Sequence, residues 1–337
     1  MPGITALNKT QIGLEALAGS STDIPTTVWR GSSVLKDTQK TIFPKEKVGY
    51  LGGTTRSYIP MTGGELVLTD EASFEALPYI FQAGIKTVTP STDTGSGLSW
   101  VWGMQAVSTD PIATTDLSTM VVESGDNIQA EIAHYGFVRE FTLSGKAGEA
   151  LNLEATVETR APATTTFTAG LTPPTVETIL FSTGAMYIDP STDTAGTTIK
   201  SQTLFDMSLK VKTGWMSKFA KDNRTDFSFI KRAEDEILLD VTFEHESVAV
   251  AEKAAWRNQT ERVIRLTFVG SALASAGTLG TKKLTIDLYG KWQDFGSAGL
   301  EEMDADNVYK GTFRCAYSVA AANKATFTIV NELSTLP

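Results

Sequence analysis

Alternation of apolar and polar residues dominates this chain. In Leu151-Asn152-Leu153-Glu154-Ala155-Thr156-Val157-Glu158 every odd position is apolar and every even one polar, as a strand with one buried and one wet face requires. Leu239, Val241 and Phe243 alternate in the same way with Asp240, Thr242 and Glu244, as do Ile264, Leu266 and Phe268 with Arg265 and Thr267, and Leu284, Ile286 and Leu288 with Thr285 and Asp287. Helical spacing is rarer. Asp70 is placed to cap a short helix carrying Phe74, Leu77 and Phe81 on one face, and Pro78 predicts a kink or two pieces there. Ser247 is placed to cap a second, with Val248, Ala251 and Ala255 as a stripe beside Trp256. The pattern predicts a mainly β protein with one short helix flanking packed sheets in each half.

The order of these runs recurs. Glu65 to Thr69 followed by Glu71 to Ala83 is answered by Ile237 to Glu246 followed by Ser247 to Arg257, at 237 − 65 = 172. Phe141-Thr142-Leu143 with Leu151 to Glu158 is answered by Phe313-Arg314-Cys315 with Phe327 to Asn331, at 313 − 141 = 172. Met120 to Glu123 is answered by Leu284 to Asp287, at 284 − 120 = 164. These spacings lie near half of the 337 residues, so two tandem units are predicted, residues 1–160 and 176–337. Residues 161–175, with Pro162, Pro173 and Pro174, read as the linker. Long polar excursions, Lys36 to Arg56 and Trp215 to Arg232, precede the strand that feeds each helix. They read as hairpin arms or as mobile surface loops. Pro90 to Thr94 recurs as Pro190 to Thr194 at a spacing of 190 − 90 = 100, which does not fit the half-chain repeat; both are read as solvated turns.

Charge and composition narrow the function. A net charge of −10 argues against binding nucleic acid through phosphates. One cysteine, Cys315, rules out an intrachain disulfide and reads as a small buried hydrophobe. The first residues lack a basic start and an apolar stretch, so a soluble protein acting where it is made is expected. Chemistry is sparse. His134 and His245 lie in strand-like runs without partners at metal spacing. Gly145 to Glu149 lacks the spacing of a phosphate loop and reads as a tight turn. Glu123 with Asp126, and Glu244 with Glu246, are the carboxylate pairs to inspect for acid and base work, against the plainer reading of a solvated strand face or turn. No catalytic, cofactor or metal residues are assigned, and a non-enzymatic protein is expected.

Four stretches carry a family resemblance: Met1 to Leu7, Gly49 to Thr54, Glu75 to Gly84, and above all Val138-Arg139-Glu140-Phe141-Thr142-Leu143-Ser144-Gly145-Lys146-Ala147-Gly148-Glu149. They resemble the major tail tube proteins of long-tailed bacteriophages, most densely over the first 160 residues. The resemblance implies a structural virion protein whose inner sheets join those of sibling copies in a ring-shaped inter-subunit β-barrel. Rings stack into a tail tube, an acidic conduit through which DNA passes during ejection without being tightly bound. Its partners would be further copies of itself, the tape-measure protein and the tail terminator and tip proteins, with assembly in the bacterial host cytoplasm, a place in the virion tail and no membrane. With two units per chain, a trimeric ring with pseudo-sixfold symmetry is favoured over a hexamer. Glu154, Glu158, Asp240, Glu244 and Asp287 are the expected channel-lining residues. Val48, Gly49, Tyr50, Leu51, Gly52, Gly53 and Thr54 on one arm, and Lys221, Asp222, Asn223 and Arg224 on the other, are the expected ring-stacking residues. The inner tube of a contractile injection system shares the implied fold, and a surface β-sandwich adhesin or fibre module is the remaining alternative.

Overall fold

A computed structural model describes residues 4–49, 51–52, 55–104, 117–297, 299–303 and 306–336. Strands β1 (Lys9–Leu14), β2 (Thr27–Trp29), β3 (Leu35–Ile42) and β4 (Tyr58–Glu71) lead into helix α1 (Leu77–Gly84). Next come β5 (Ser91–Thr92), β6 (Leu98–Met104), β7 (Met120–Gly125), β8 (Ala130–Lys146), β9 (Asn152–Thr159) and β10 (Ala163–Thr165). The second half holds β11 (Gly184–Pro190), β12 (Ile199–Lys200), β13 (Leu204–Lys212), β14 (Trp215–Lys218), β15 (Phe229–Arg232) and β16 (Glu236–Glu244). It ends with α2 (Ser247–Arg257), β17 (Arg262–Ala272), β18 (Thr281–Phe295), β19 (Glu301–Met303), β20 (Asp306–Cys315) and β21 (Ala325–Asn331).

Antiparallel pairing builds one long sheet in the order β3-β4-β9-β8-β13-β16-β20-β18. Two further sheets fold off it, β2-β1-β7-β8-β10 and β12-β11-β17-β18-β21-β6-β5. Strands β8 and β18 each belong to two sheets, and glycine makes both crossings possible. A Cβ on Gly136 would lie 2.9 Å from the Met120 carbonyl oxygen, and one on Gly290 only 2.1 Å from that of Arg314. Just beyond each crossing the ladder slips by one residue, between Val138 and Glu140 and between Trp292 and Asp294. Such bulges bend a strand and increase its twist, which turns it out of one sheet and into the next. The outer side of β3, and that of β18 beyond Gly290, have no strand partner among the described residues, so the long sheet is open at both ends and no barrel closes within the chain.

Alternation gives the long sheet a dry face bearing Leu66, Leu68, Val157, Leu143, Leu209, Leu239 and Phe313, all buried. Helix α1 packs on it. Phe81 sits 5.2 Å from the Trp102 ring, 5.4 Å from Phe141 and 5.1 Å from Phe327. A helix from the first half therefore shares its core with a strand from the second, and burial of such rings is worth ~1.5–3 kcal/mol each.

Both helix starts differ from expectation. Asp70 is paired with Leu153 in the β4–β9 ladder and caps nothing. Pro78 falls in the first turn of α1, where no intrahelical N–H is lost, so the helix starts at Leu77, just before the proline, instead of breaking there. All eight residues of α1 are buried, so packing holds the helix in place of a cap. Ser247 is the first residue of α2 and makes no capping bond; Glu246 precedes it in extended conformation. The linker also carries structure: Ala163–Thr165 pairs with Ala130–Ile132 as β10.

Candidate functional site

The wet face of the long sheet holds the expected channel residues, with one exception. Glu154 is exposed and Glu158 half-buried on β9, and Asp240 and Glu244 are half-buried on β16. Asp287 lies elsewhere. It sits on the N-terminal half of β18, opposite Arg265 of β17, and accepts two hydrogen bonds from that guanidinium at 2.6 and 2.7 Å. Alternation placed Asp287 on a wet face, but the crossing at Gly290 puts that stretch in a different sheet. It is a bidentate structural pair, and the Arg265 guanidinium is held above its ordinary range by it.

The wet face is also not simply acidic, which corrects the expectation from the carboxylates alone. Neighbouring strands bring lysines and arginines to it: Lys210 bonds Asp240 at 3.0 Å, Lys212 bonds Glu236 at 2.8 Å, and Arg314 lies 3.3 Å from Glu236. Thr312 also donates to Asp240, at 2.7 Å. The Lys212 ammonium holds the Glu236 carboxyl below the usual range and is itself raised. Glu154 and Glu158 have no ion-pair partner among the described residues, so net negative charge remains mainly on the β9 part of the face.

The two arms are hairpins of different character. The first, from β3 into β4, leaves Phe43 66%, Leu51 110%, Tyr58 52% and Ile59 42% exposed. Toward its tip Glu46 accepts the Thr55 amide at 3.0 Å and pairs with Arg56 at 2.6 Å. Val48, Gly49, Leu51 and Gly52 are exposed at this tip, and Gly49 has φ of 84°, a left-handed conformation that glycine adopts without strain. Tyr50, Gly53 and Thr54 lie outside the described residues.

The second arm, β14 and β15, is held down on the first half. Trp215, Phe227 and Ile230 are buried with Leu117, Tyr135 and Phe137 in a cluster separate from the main core. Arg160 fastens it, donating from Nε to the Phe227 carbonyl at 3.2 Å and from an NH2 nitrogen to that of Ser228 at 3.0 Å, while its guanidinium sits 4.4 Å from the Tyr135 ring centroid. Tyr135 takes φ of 58° and its amide donates to the buried carboxylate of Glu15 at 2.7 Å. Thr62 and Thr225 join the two arms, the Thr62 amide donating to the Thr225 carbonyl at 3.0 Å. Lys221, Asp222, Asn223 and Arg224 form the exposed tip. The Arg160 clamp escapes a reading of the sequence, because its carbonyl acceptors leave no mark there. The one available signal is the Tyr-Gly pair shared by both crossings, Tyr135-Gly136 and Tyr289-Gly290.

The carboxylate pairs resolve into structural roles. Glu123 accepts the amide and hydroxyl of Thr168 at 2.7 and 2.9 Å. Asp126 accepts the amides of Ile128 and Gln129 in the β7–β8 turn, which hold its carboxyl below the usual range. Glu244 ends β16 and Glu246 precedes α2; both are half-buried, and Glu246 Oε1 has no hydrogen-bond partner among the described residues. His134 Nδ1 lies 3.5 Å from Glu15, and His245 meets the Tyr309 ring edge-on at 4.9 Å. Among the described residues no group of three or more His, Cys, Asp or Glu side chains is placed to hold a metal ion. Burial pushes the Cys315 thiol up. No helix among the described residues is long and apolar enough to cross a membrane. Neither a protein-family model nor a curated protein matches the sequence.

Proposed function

We propose that this protein is a tube-forming structural subunit, the major tail tube protein of a long-tailed bacteriophage, built as two tandem units and closing as a ring of three chains. The observation that carries the reading is the seam between β8 and β13, where Glu140–Lys146 pairs with Asp206–Lys212. Around it the pairing runs twice in one order. The quartet β3-β4-β9-β8 is followed by β13-β16-β20-β18, and the same row passes through Leu35, Leu66, Val157 and Val138 in one and Leu209, Leu239, Phe313 and Trp292 in the other. The flanking sheets correspond as well, β2-β1-β7-β8-β10 with β12-β11-β17-β18-β21.

The seam joins the last strand of one quartet to the first of the next. Repeating that step joins β18 of one chain to β3 of another, a heterologous contact that closes by rotation. It covers both open edges, which otherwise template uncontrolled association. Three chains contribute 3 × 8 = 24 strands. At ~4.8 Å between strands and a tilt of ~40° the barrel is roughly 48 Å across, leaving a bore of roughly 35 Å inside the side chains, wide enough for duplex DNA. Six chains give about twice that diameter, which disfavours a hexamer.

The wet face then lines the bore, with Glu154 and Glu158 repelling phosphate while the lysines are neutralised by their carboxylate partners, so that DNA passes without lasting contacts. The arm tips project along the axis to meet the next ring, an open contact that makes a filament. Tape-measure, terminator and tip proteins would engage the finished tube, and no catalysis is assigned.

Three measurements test this. Negative-stain microscopy of the purified protein should show rings or hollow rods; dispersed single particles at high concentration would overturn the reading. The in-chain pair Glu140 and Lys212 corresponds between chains to Asp294 and Thr38, from 294 − 140 = 154 and 212 − 38 = 174. A Thr38→Cys, Asp294→Cys protein should therefore form disulfide-linked oligomers ending at a closed trimer. In virions, Glu154→Lys with Glu158→Lys should leave tubes intact and slow DNA ejection.

A further inference from the structure

The two arms occupy matching places between β3 and β4 and between β13 and β16, yet one buries its aromatic residues and the other leaves them exposed. Trp215, Phe227 and Ile230 of the second arm are buried against Tyr135 and Phe137, whereas Phe43, Tyr58 and Ile59 of the first face solvent. The difference lies in the neighbour. β13 runs beside β8, so its arm lies over the β8 crossing, while β3 has no strand on its outer side among the described residues.

Strand β18 offers the matching surface. It crosses sheets at Tyr289-Gly290 as β8 does at Tyr135-Gly136, and the Ala316 amide donates to the Tyr289 carbonyl at 2.8 Å, so the backbone of the half-buried Tyr289 is bonded to the residue before Tyr317, which is 37% exposed. We infer that the first arm of one chain docks, through Phe43, Tyr58 and Ile59, on the Tyr289–Tyr317 corner of a second copy in the same ring. The arm's base is thus an in-plane latch, apart from the axial contact of its tip. This rests on the ring reading, because only the seam between β18 and β3 carries the arm to that corner. It is supported by the seated arm within the chain, whose contact the ring operation repeats.

The two latches differ in at least two components. Phe137, on which the second arm is seated, has Lys291 as its counterpart, and the place of Arg160, which follows β9, is taken in the second half, by 316 − 160 = 156, by Ala316. The between-chain latch has no guanidinium to grip the arm's carbonyls, so it is the looser of the two and opens when a ring comes apart.

The test uses full-length protein carrying Phe43→Asp, Tyr317→Asp or both. Each site is exposed in the single chain, so the melting temperature should match that of the parent. The concentration at which half the protein sedimentates as rings should rise at least tenfold in each variant, and the double variant should do no worse than the weaker single, because both remove one contact. An unchanged threshold, effects that multiply in the double variant, or normal rings that merely fail to stack would each overturn the latch. The disulfide between positions 38 and 294 separates the layers of the argument: if it forms while the threshold is unmoved, the latch alone fails, and if it never forms in otherwise unaltered protein, the ring and the latch fail together.

Discussion

Replacing Arg160 with methionine isolates what holds the second arm to the body. The substitution keeps an unbranched apolar stem but removes the guanidinium, and with it two charge-assisted hydrogen bonds, to Phe227 and Ser228, and the cation over the Tyr135 ring. Hydrogen bonds from charged donors are worth ~1.5–3 kcal/mol each, and a cation over a ring adds ~0.5–1 kcal/mol. The Arg160 side chain is 15% exposed, and the freed carbonyls recover part of their loss from water, so the terms do not add in full. A net cost of about 2–3 kcal/mol remains, or roughly 30- to 150-fold in the opening equilibrium. The loss is local, because the arm's aromatic cluster is separate from the main core. Native-state hydrogen exchange should show amides of β14 and β15 losing protection by that factor while those of β9 and β16 keep theirs. Unchanged protection in the arm, or a loss spread evenly through the body, would refute the reasoning.

Phe81→Ala removes the ring that touches Trp102, Phe141 and Phe327; it should cost ~3–5 kcal/mol and lower one shared unfolding transition, and urea curves with two steps of which only one shifts would contradict a common core. Asp189 is buried and accepts from Thr197, Thr198 and Gly196. Its burial acts to raise its pKa, but those bonds outweigh it and bring it down to about 2. A carboxyl depressed on folding contributes its stability above the unfolded value near 4 and loses it as pH falls toward 2. Asp189→Asn should therefore cost roughly 2 kcal/mol at pH 7, with the gap from the parent narrowing between pH 4 and pH 2, measured by urea unfolding.

Most strands were legible because alternation survives folding unaltered: Asn152 to Glu158, Leu239 to Glu244 and Ile264 to Phe268 all lie in strands with the expected side buried. The second excursion is a hairpin, and the first holds one strand of a hairpin whose partner begins at Tyr58. Matching the halves by spacing and by strand pairing gives different partners, for a physical reason. On the two-unit reading proposed above, the order of pairings sets Phe141 against Phe295 and β7 against β17, where the spacings near 170 set Phe313 and β18 against them. Strands β5 and β6 stand between α1 and β7 with no counterpart between α2 and β17, and this extra length shortens every later spacing. The segments Tyr135-Gly136-Phe137-Val138-Arg139-Glu140-Phe141 and Tyr289-Gly290-Lys291-Trp292-Gln293-Asp294-Phe295 share only a Tyr-Gly start and an acid-Phe end, too little to stand out without the crossings that explain them. The balance of charge on the wet face was hidden for a related reason. Each strand shows its own carboxylates, but Lys210 and Asp240 become partners only once β13 lies beside β16.

On the ring reading proposed above, the β8–β13 seam has a thermodynamic consequence for assembly. Two units on separate polypeptides must meet by diffusion, whereas here the segment between β10 and β11 tethers them, holding each at an effective concentration in the millimolar range relative to the other. A three-chain annulus forms by two bimolecular associations and one ring closure, against five and one for a six-piece hoop, so three of the five losses of translational freedom are replaced by tethering within each molecule. Tethering thereby lowers the protein concentration at which hoops first appear, and it forbids any count of units that is odd.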